Sequence, residues 1–102
     1  MAQTKTKGNT DIENQVIITV AGKDKVGIVA GVSNCLAKHN VNIEDIKQTI
    51  MQDNFVMMML CDIGNLKITF KNFKDAMALL GKELGMEIWV QKKDIFDKMH
   101  TI

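Results

Sequence analysis

Hydrophobic and polar positions follow two kinds of pattern along the chain, one suited to strands and one to helices. Four short segments are dominated by β-branched and other apolar residues, which favours strands. Two longer segments carry apolar residues three or four positions apart, which is typical of amphipathic helices. The segments predict strands over 16–21, 41–52, 55–61 and 86–93 and helices over 28–39 and 73–84.

The two predicted helices have identifiable ends. Asn40 follows the first helix and belongs to the residue types that adopt left-handed conformations at helix ends. Asn72 is the predicted N-cap of the second helix, and Gly85 is its predicted C-terminal stop. The apolar stripes that should face the core are Ile28, Val29, Val32, Cys35 and Leu36 in the first helix, and Phe73, Ala76, Met77, Leu80 and Leu84 in the second.

The second strand contains a defect in its alternation. Ile43 and Ile46 are three positions apart and therefore cannot share one face of a regular strand. A β-bulge at Glu44–Asp45 would restore the alternation from Ile46 onward. We therefore expect an irregular second strand, followed by a tight turn at Asp53–Asn54 that leads into the third strand.

The order of the elements, β-α-β-β-α-β, predicts an α+β fold of the ferredoxin-like class. Its four-stranded antiparallel sheet should carry both helices on one face. The other face then has no helix to cover it, although the first and third strands, which are usually central in this arrangement, are apolar on both faces. Such a face exceeds the roughly few hundred Å² of apolar surface that a monomer exposes, so we expect a second copy to cover it in a homodimer or higher homo-oligomer.

The last residues predict a short helix capped by Asp94. Its apolar positions, which have helical spacing, are Ile95, Phe96, Met99 and Ile102. A helix this short is not stable alone, so it should dock on its own sheet or on that of a partner. The chain is therefore divided into a flexible N-terminal tail over 1–14, a domain over 15–93 and a C-terminal helical tail over 94–102.

Length, composition and charge narrow the function classes. A chain of 102 residues leaves room for one domain. All 13 basic residues are Lys, and with 12 acidic residues the net charge is +1, so no strong field attracts nucleic acid or a membrane. Without Arg the chain lacks the side chain that holds phosphate in acylphosphatase-like enzymes of this fold. An aromatic content of 5% and the lack of Tyr argue against a base-stacking RNA-binding sheet.

The sequence predicts neither a targeting segment nor a cofactor site. The N-terminal region has no apolar segment of the kind found in signal peptides, and no apolar run approaches the roughly 20 residues of a membrane span, so we expect a cytoplasmic protein with reduced thiols. Cys35, Cys61, His39 and His100 lack the spacing of metal ligands. Cys35 lies on the apolar stripe of a helix and is a poor nucleophile. We expect no metal, no cofactor and no enzymatic activity.

One stretch of the chain resembles a known family. Gly22–Val32 reads GKDKVGIVAGV, and Leu36–Ile43 reads LAKHNVNI. Together they resemble an ACT domain, whose pattern is a strand, D-x-P-G-[IL], a helix of small residues and an x-N-I entry to the second strand. The resemblance covers residues 15–93, and Val26 stands where many members have Pro. It extends to a group of small stand-alone ACT proteins similar to the ACT regulator of the glycine cleavage system.

The resemblance implies a ligand site beside the first loop and the start of the first helix, at an interface between domains. Helix-start N–H groups after Gly27 would then meet a carboxylate. Asn42 would bond to the charged groups of an amino acid, and Asp24 would pair with its ammonium. The expected ligand-binding residues are Asp24, Lys25, Val26, Gly27, Ile28, Asn42 and Ile43.

Structural roles for the same residues stay open at this point. Asp24 lies between two lysines, where a solvated turn residue or a helix cap is common. Gly27 can serve its turn alone, and Asn42 can tie the entry of the strand to the backbone. The resemblance favours a non-catalytic regulatory module, a homodimer that senses an amino acid or related metabolite. The alternative is a ligand-free interaction subunit that pairs with a metabolic enzyme or a transcriptional regulator.

Overall fold

The computed structural model describes residues 13–99. Their elements are β1 (Gln15–Lys23), α1 (Ile28–Lys38), β2 (Asn42–Met51), β3 (Asn54–Asp62), α2 (Phe70–Leu84), β4 (Met86–Lys92) and α3 (Lys93–Met99). This order confirms the predicted ferredoxin-like α+β fold and its short C-terminal helix. Ile102 and nearly all of the predicted N-terminal tail lie outside the described residues.

The four strands form one antiparallel sheet in the order β2-β3-β1-β4. The central pair, β1 and β3, is in register from Gln15 opposite Asp62 to Lys23 opposite Asn54. Each main helix connects strands that are not neighbours in the sheet, so both helices cross the same face. The first and third strands are therefore the central ones, as the sequence predicted.

The core lies between the sheet and the two main helices. Alternate residues of β1 and β3 point into it, as expected for strands with a period of two. The two helices contribute core residues that lie about one turn apart. Val29, which was predicted to face the core, is exposed instead, because it is one position beyond Ile28 and points away from the sheet. The fully or almost fully buried apolar residues of these elements are Val16, Ile18, Val20, Phe55, Met57, Met59, Cys61, Ile28, Val32, Leu36, Phe73 and Met77.

The predicted helix stops are confirmed, whereas two predicted caps are wrong. Asn40 and Gly85 have φ angles of 62° and 71°, the left-handed conformation expected beyond a helix. The N-cap of α2 is Thr69 and not Asn72, because Thr69 Oγ1 accepts a hydrogen bond from the Asn72 N–H at 3.0 Å. Asp94 lies inside the first turn of α3, which already begins one residue earlier.

The irregular second strand is also confirmed. The register of β2 on β3 shifts between Ile43 and Asp45, at the predicted bulge. Asp45 Oδ1 accepts a hydrogen bond from the Ile46 N–H at 2.8 Å, which supports the bend. The turn that follows is one residue earlier than predicted. β3 already begins at Asn54, and Gln52 takes the left-handed position with a φ of 60°.

Helix α2 approaches the sheet most closely at Gly81. A Cβ atom at this position would lie 2.7 Å from the backbone oxygen of Met86, at the start of β4. A backbone atom held in a strand cannot move aside as a side chain can. Gly31 in α1 differs, because its Cβ would meet only the side chain of Leu84, at 3.2 Å.

We expect Gly81→Ala to lower the free energy of unfolding and Gly31→Ala to leave it nearly unchanged. Overpacking costs about 1–3 kcal/mol, which outweighs the gain of about 1 kcal/mol from replacing a helical Gly by Ala. At Gly31 the Leu84 side chain can shift, so the same gain offsets the crowding. Urea denaturation of both variants measures the difference. Equal effects of the two substitutions would contradict this account of the contact between α2 and β4.

Candidate functional site

The loop between β1 and α1 is anchored to the β2–β3 hairpin. The Asp24 N–H donates a hydrogen bond to the backbone oxygen of Asp53 at 2.9 Å. The side chain of Asp24 is exposed to solvent. The loop is therefore fixed through its backbone, while this carboxylate faces outward.

Gly27 turns the loop into α1. Its φ of 91° and ψ of −1° lie in the left-handed region, which strongly favours Gly. As the N-cap residue it offers no side chain to the first N–H groups of the helix. The N–H groups of Ile28, Val29 and Ala30 therefore lack an acceptor within the helix, and they lie at the positive end of the helix dipole. A carboxylate is the chemical group that suits this position best.

Lys25 is directed toward the end of a different helix. Its Nζ lies so close to Gly85 that a Cβ added to Gly85 would be 2.8 Å away. The C-terminal end of α2 carries unsatisfied carbonyl groups and a negative partial charge, which favour a nearby cation. Lys25 thus places its ammonium group near the C-terminal end of α2, while the left-handed φ of 71° at Gly85 is what favours Gly there.

The apolar residues of the predicted site divide between the surface and the core. Val26 is fully exposed at the tip of the loop. The side chain of Ile28 is buried, and that of Ile43 is half-buried against the core. Only the backbone of these two isoleucines is available to a ligand.

Asn42 does not lie near the loop within one chain. It is the first residue of β2 and pairs with Asp62, which in turn is opposite Gln15 at the start of β1. The Asp24–Gly27 loop follows the other end of β1. The length of β1 between these ends corresponds to about 26 Å, at about 3.3 Å per residue. One chain therefore does not bring together the residues that the resemblance associates with one ligand.

The Asn42 side chain is exposed and, among residues 13–99, makes no hydrogen bond to the protein. It lies on β2, which is an edge strand of the sheet. Sequence patterns did not predict that Asn42 is far from the loop, because this separation follows from the register of three paired strands. They also missed Asp53 and Gly85, which support the loop from distant parts of the chain.

The two thiols and the His39 imidazole serve the packing of the fold, and His100 lies outside the described residues. Cys61 is fully buried, and burial raises the pKa of its thiol to about 12. Burial also raises the pKa of the Cys35 thiol, whose Sγ lies 3.9 Å from Met77 Sδ. His39 packs edge-to-face on Phe73 with the ring centroids 6.1 Å apart. Across residues 13–99 no three His, Cys, Asp or Glu side chains are grouped so that they could hold a metal ion.

No helix in the described part of the chain is both long and apolar enough to span a membrane.

Comparison with known sequences identifies related proteins. The ACT domain sequence pattern matches residues 14–91. A UPF0237 protein of Methanocaldococcus jannaschii is 48% identical over 89 residues, which are 87% of this chain and 99% of that protein. The agreement therefore extends over almost the whole of that relative.

Comparison with solved structures gives the same result. An ACT domain protein from Streptococcus pneumoniae superposes with a TM-score of 0.72 at 38% identity, over 86% of this chain and 96% of that one. A protein described as a putative glycine cleavage system transcriptional repressor has a TM-score of 0.63 at 21% identity, over 76% of this chain and 44% of that one. At this identity the second likeness is one of fold.

We expect the two thiols to react slowly with iodoacetamide in the folded protein, and Cys61 more slowly than Cys35. Only the thiolate reacts, and both raised pKa values keep the thiols protonated at about pH 8. Cys61 is fully buried, whereas Cys35 is partly accessible. Mass spectrometry of the labelled peptides measures both rates, with denatured protein as the control in which both react. Rapid labelling of native Cys61 would contradict the inert role.

Proposed function

The chain belongs to the ACT domain family, and we propose that it is a non-catalytic regulatory module that senses a small amino acid or related metabolite as a homodimer. The family membership and the solved ACT domain protein support the regulatory class. The start of α1 is the observation that carries the proposal. There a left-handed Gly27 opens the helix without a side-chain cap, beside an exposed Asp24.

The chemistry of this position matches the two charged groups of an amino acid. The N–H groups of the first turn of α1 would bind the carboxylate, since the helix dipole favours an anion there. The exposed carboxylate of Asp24 would accept hydrogen bonds from the ammonium. The ammonium group of Lys25 lies near the C-terminal end of α2, and its attraction to the negative end of that helix would help to position the loop.

The position of Asn42 supports a site shared by two subunits. β2 is an edge strand, so its outer backbone groups can pair with another strand. Antiparallel pairing with β2 of a second copy would reverse the direction of that strand. The start of the partner's β2, with Asn42 of the partner subunit, would then lie at the end of the sheet where the Asp24–Gly27 loop is found. A ligand between loop and amide would be bound by both chains.

One observation favours a second candidate function, a ligand-free interaction subunit. Val26 is fully exposed at the tip of the loop, and Val29 beside it is also exposed. An apolar loop tip suits contact with an enzyme or a transcriptional regulator. A thermal-shift panel of the twenty amino acids distinguishes the candidates, because a ligand at 100 times its Kd stabilises the fold by about 2.7 kcal/mol. A panel without any shift would favour the interaction subunit.

With a ligand from this panel, we expect Asn42→Ala to weaken binding about 10- to 150-fold. This range corresponds to the loss of hydrogen bonds to a charged group, about 1.5–3 kcal/mol. Stability should change little, because the side chain is exposed and unbonded. Isothermal titration calorimetry measures the affinity, and Asn34→Ala on the exposed side of α1 is the matched control. Equal affinities of the two variants would remove Asn42 from the site.

A mixing experiment tests whether the site is shared. Gly27→Ala should impair ligand binding by the loop, because Ala is strained at a φ of 91°. Asn42→Ala should impair ligand binding because it removes the side-chain amide. If each site takes its loop from one chain and its amide from the other, a heterodimer of the two variants contains one intact site. Co-expressed, differently tagged chains should therefore regain wild-type affinity at half the stoichiometry. Heterodimers that bind as poorly as either parent would show that the loop of one chain and Asn42 of the other do not form one site.

A further inference from the structure

The sheet face opposite α1 and α2, here called the open face, has an apolar centre and polar borders. Between the strand ends, the register places twelve of its residues in four columns of three. The columns are Asp45, Lys47 and Thr49 on β2; Val56, Met58 and Leu60 on β3; Ile17, Thr19 and Ala21 on β1; and Glu87, Trp89 and Gln91 on β4. Five of the six residues in the two central columns are apolar, so burying the centre of this face away from water is favourable.

Helix α3 packs on the β1–β4 side of the open face and leaves Glu87 and Trp89 exposed. It packs against the central strand β1 as well as against β4, so it lies across the face and not only along its edge. Phe96 borders a cleft at the β4 edge, which is lined by Thr19 and Trp89 of the open face and also by Lys74, Asp75 and Ala78 of α2. Gln91 Nε2 donates a hydrogen bond to Met99 Sδ at 3.5 Å. This placement confirms that the C-terminal helix docks on its own sheet.

The outer side of α3 is itself apolar. Ile95 and Met99 are four residues apart, which places them on one side of the helix, and more than half of each side chain is exposed. We call this pair the α3 ridge. The α3 ridge lies on the side of α3 that faces away from the sheet, and part of the open face remains exposed to solvent.

The other side of the open face is a shallow groove over β2 and β3. Two clefts, of about 170 and 300 Å³, open there, and both are bordered by Lys47 and Met58. Leu60 and Ile17 border the first cleft, and Val56 borders the second. We call this surface the Met58 groove. Met58 is 36% exposed although it lies at the centre of an apolar surface.

We propose that the open face binds a second copy of this chain, with the α3 ridge of each copy in the Met58 groove of the other. A ridge and a groove side by side on one face are self-complementary under a two-fold rotation, which is the commonest symmetry of homo-oligomers. Each contact then occurs twice, and both apolar features are buried at once.

The charges at the borders agree with this arrangement. Asp45 and Lys47 border the groove, while Asp94 and Lys98 flank the ridge, and all four are exposed. Each feature thus carries one acid and one base, so reciprocal docking can pair opposite charges and does not concentrate a single sign. Because acidic and basic residues are balanced on this surface, it does not attract a partner of strongly positive or strongly negative charge.

The lengths of related chains exclude one alternative cover in those relatives, a further domain of the same chain. The shared unit fills 99% of the relative from Methanocaldococcus jannaschii and 96% of the protein from Streptococcus pneumoniae. In these proteins a further domain of the same chain is therefore not what covers the face. The contact is separate from the β2 edge. Together with the edge pairing, which rests on the proposed function, it builds an assembly of four chains.

Charge placed in the groove or on the ridge tests the contact. Met58→Glu and Ile95→Glu should each halve the mass found by sedimentation equilibrium. Trp89 lies on the open face, 51% exposed, and is the only Trp of the chain. Its fluorescence emission should therefore shift to longer wavelength in both variants as the partner leaves. Leu79→Glu, at an exposed position of α2 away from this face, is the control and should change neither quantity.

The outcomes separate this contact from the proposed ligand site. Circular dichroism first establishes that the variants are folded. If one of the two substitutions, Met58→Glu or Ile95→Glu, prevents folding, the other still tests the contact. If the mass falls from dimer to monomer, the open face holds the copies together and the edge pairing of the proposed function is absent. If folded Met58→Glu and Ile95→Glu keep the mass and the emission of the wild type, the proposal is overturned, whatever the ligand panel shows.

Discussion

The pairing of β1 with β3 is the constraint on which the rest of the structure depends. Its register sends Val16, Ile18 and Val20 to the same side as Met57 and Met59. A shift by one residue would exchange every core residue of one strand with a residue of the open face. Together with the pairing of β2 on β3, the same register places the loop after Lys23 and the start of β2 at opposite ends of the sheet. Core, open face and the division of the ligand residues therefore all depend on this register.

Sequence patterns predicted the features that depend on local chemistry. β-branched runs marked the strands, and Asn40 and Gly85 marked the helix ends because left-handed backbone suits few residue types. The errors arose where neighbouring residues had similar propensities. Thr69 and Asn72 are both good caps. The helix begins at Phe70, which is half-buried beneath the ammonium groups of Lys74 and Lys92. That contact involves β4, which no local pattern around the cap includes.

The candidate site was predictable as a list of residues but not as an arrangement. The resemblance identified the loop, and Gly27 has the backbone conformation that its position requires. The hydrogen bond from Asp24 to Asp53 and the approach of Lys25 to Gly85 bring together residues far apart in the chain, so composition and spacing carry no sign of them. The distance between Asn42 and the loop is likewise a sum of pairings across three strands. Such properties belong to topology and not to any one segment.

Under the proposed function, the separation of the loop from Asn42 has a consequence for signalling. A site divided between two chains exists only where the chains have met, so occupancy depends on the abundance of the protein as well as on that of its effector. Linkage makes the dependence reciprocal, since a ligand held by both chains strengthens their association by the same factor. Such a module responds as a coincidence detector. Its output rises steeply when effector and protein increase together, and falls on dilution even at constant effector.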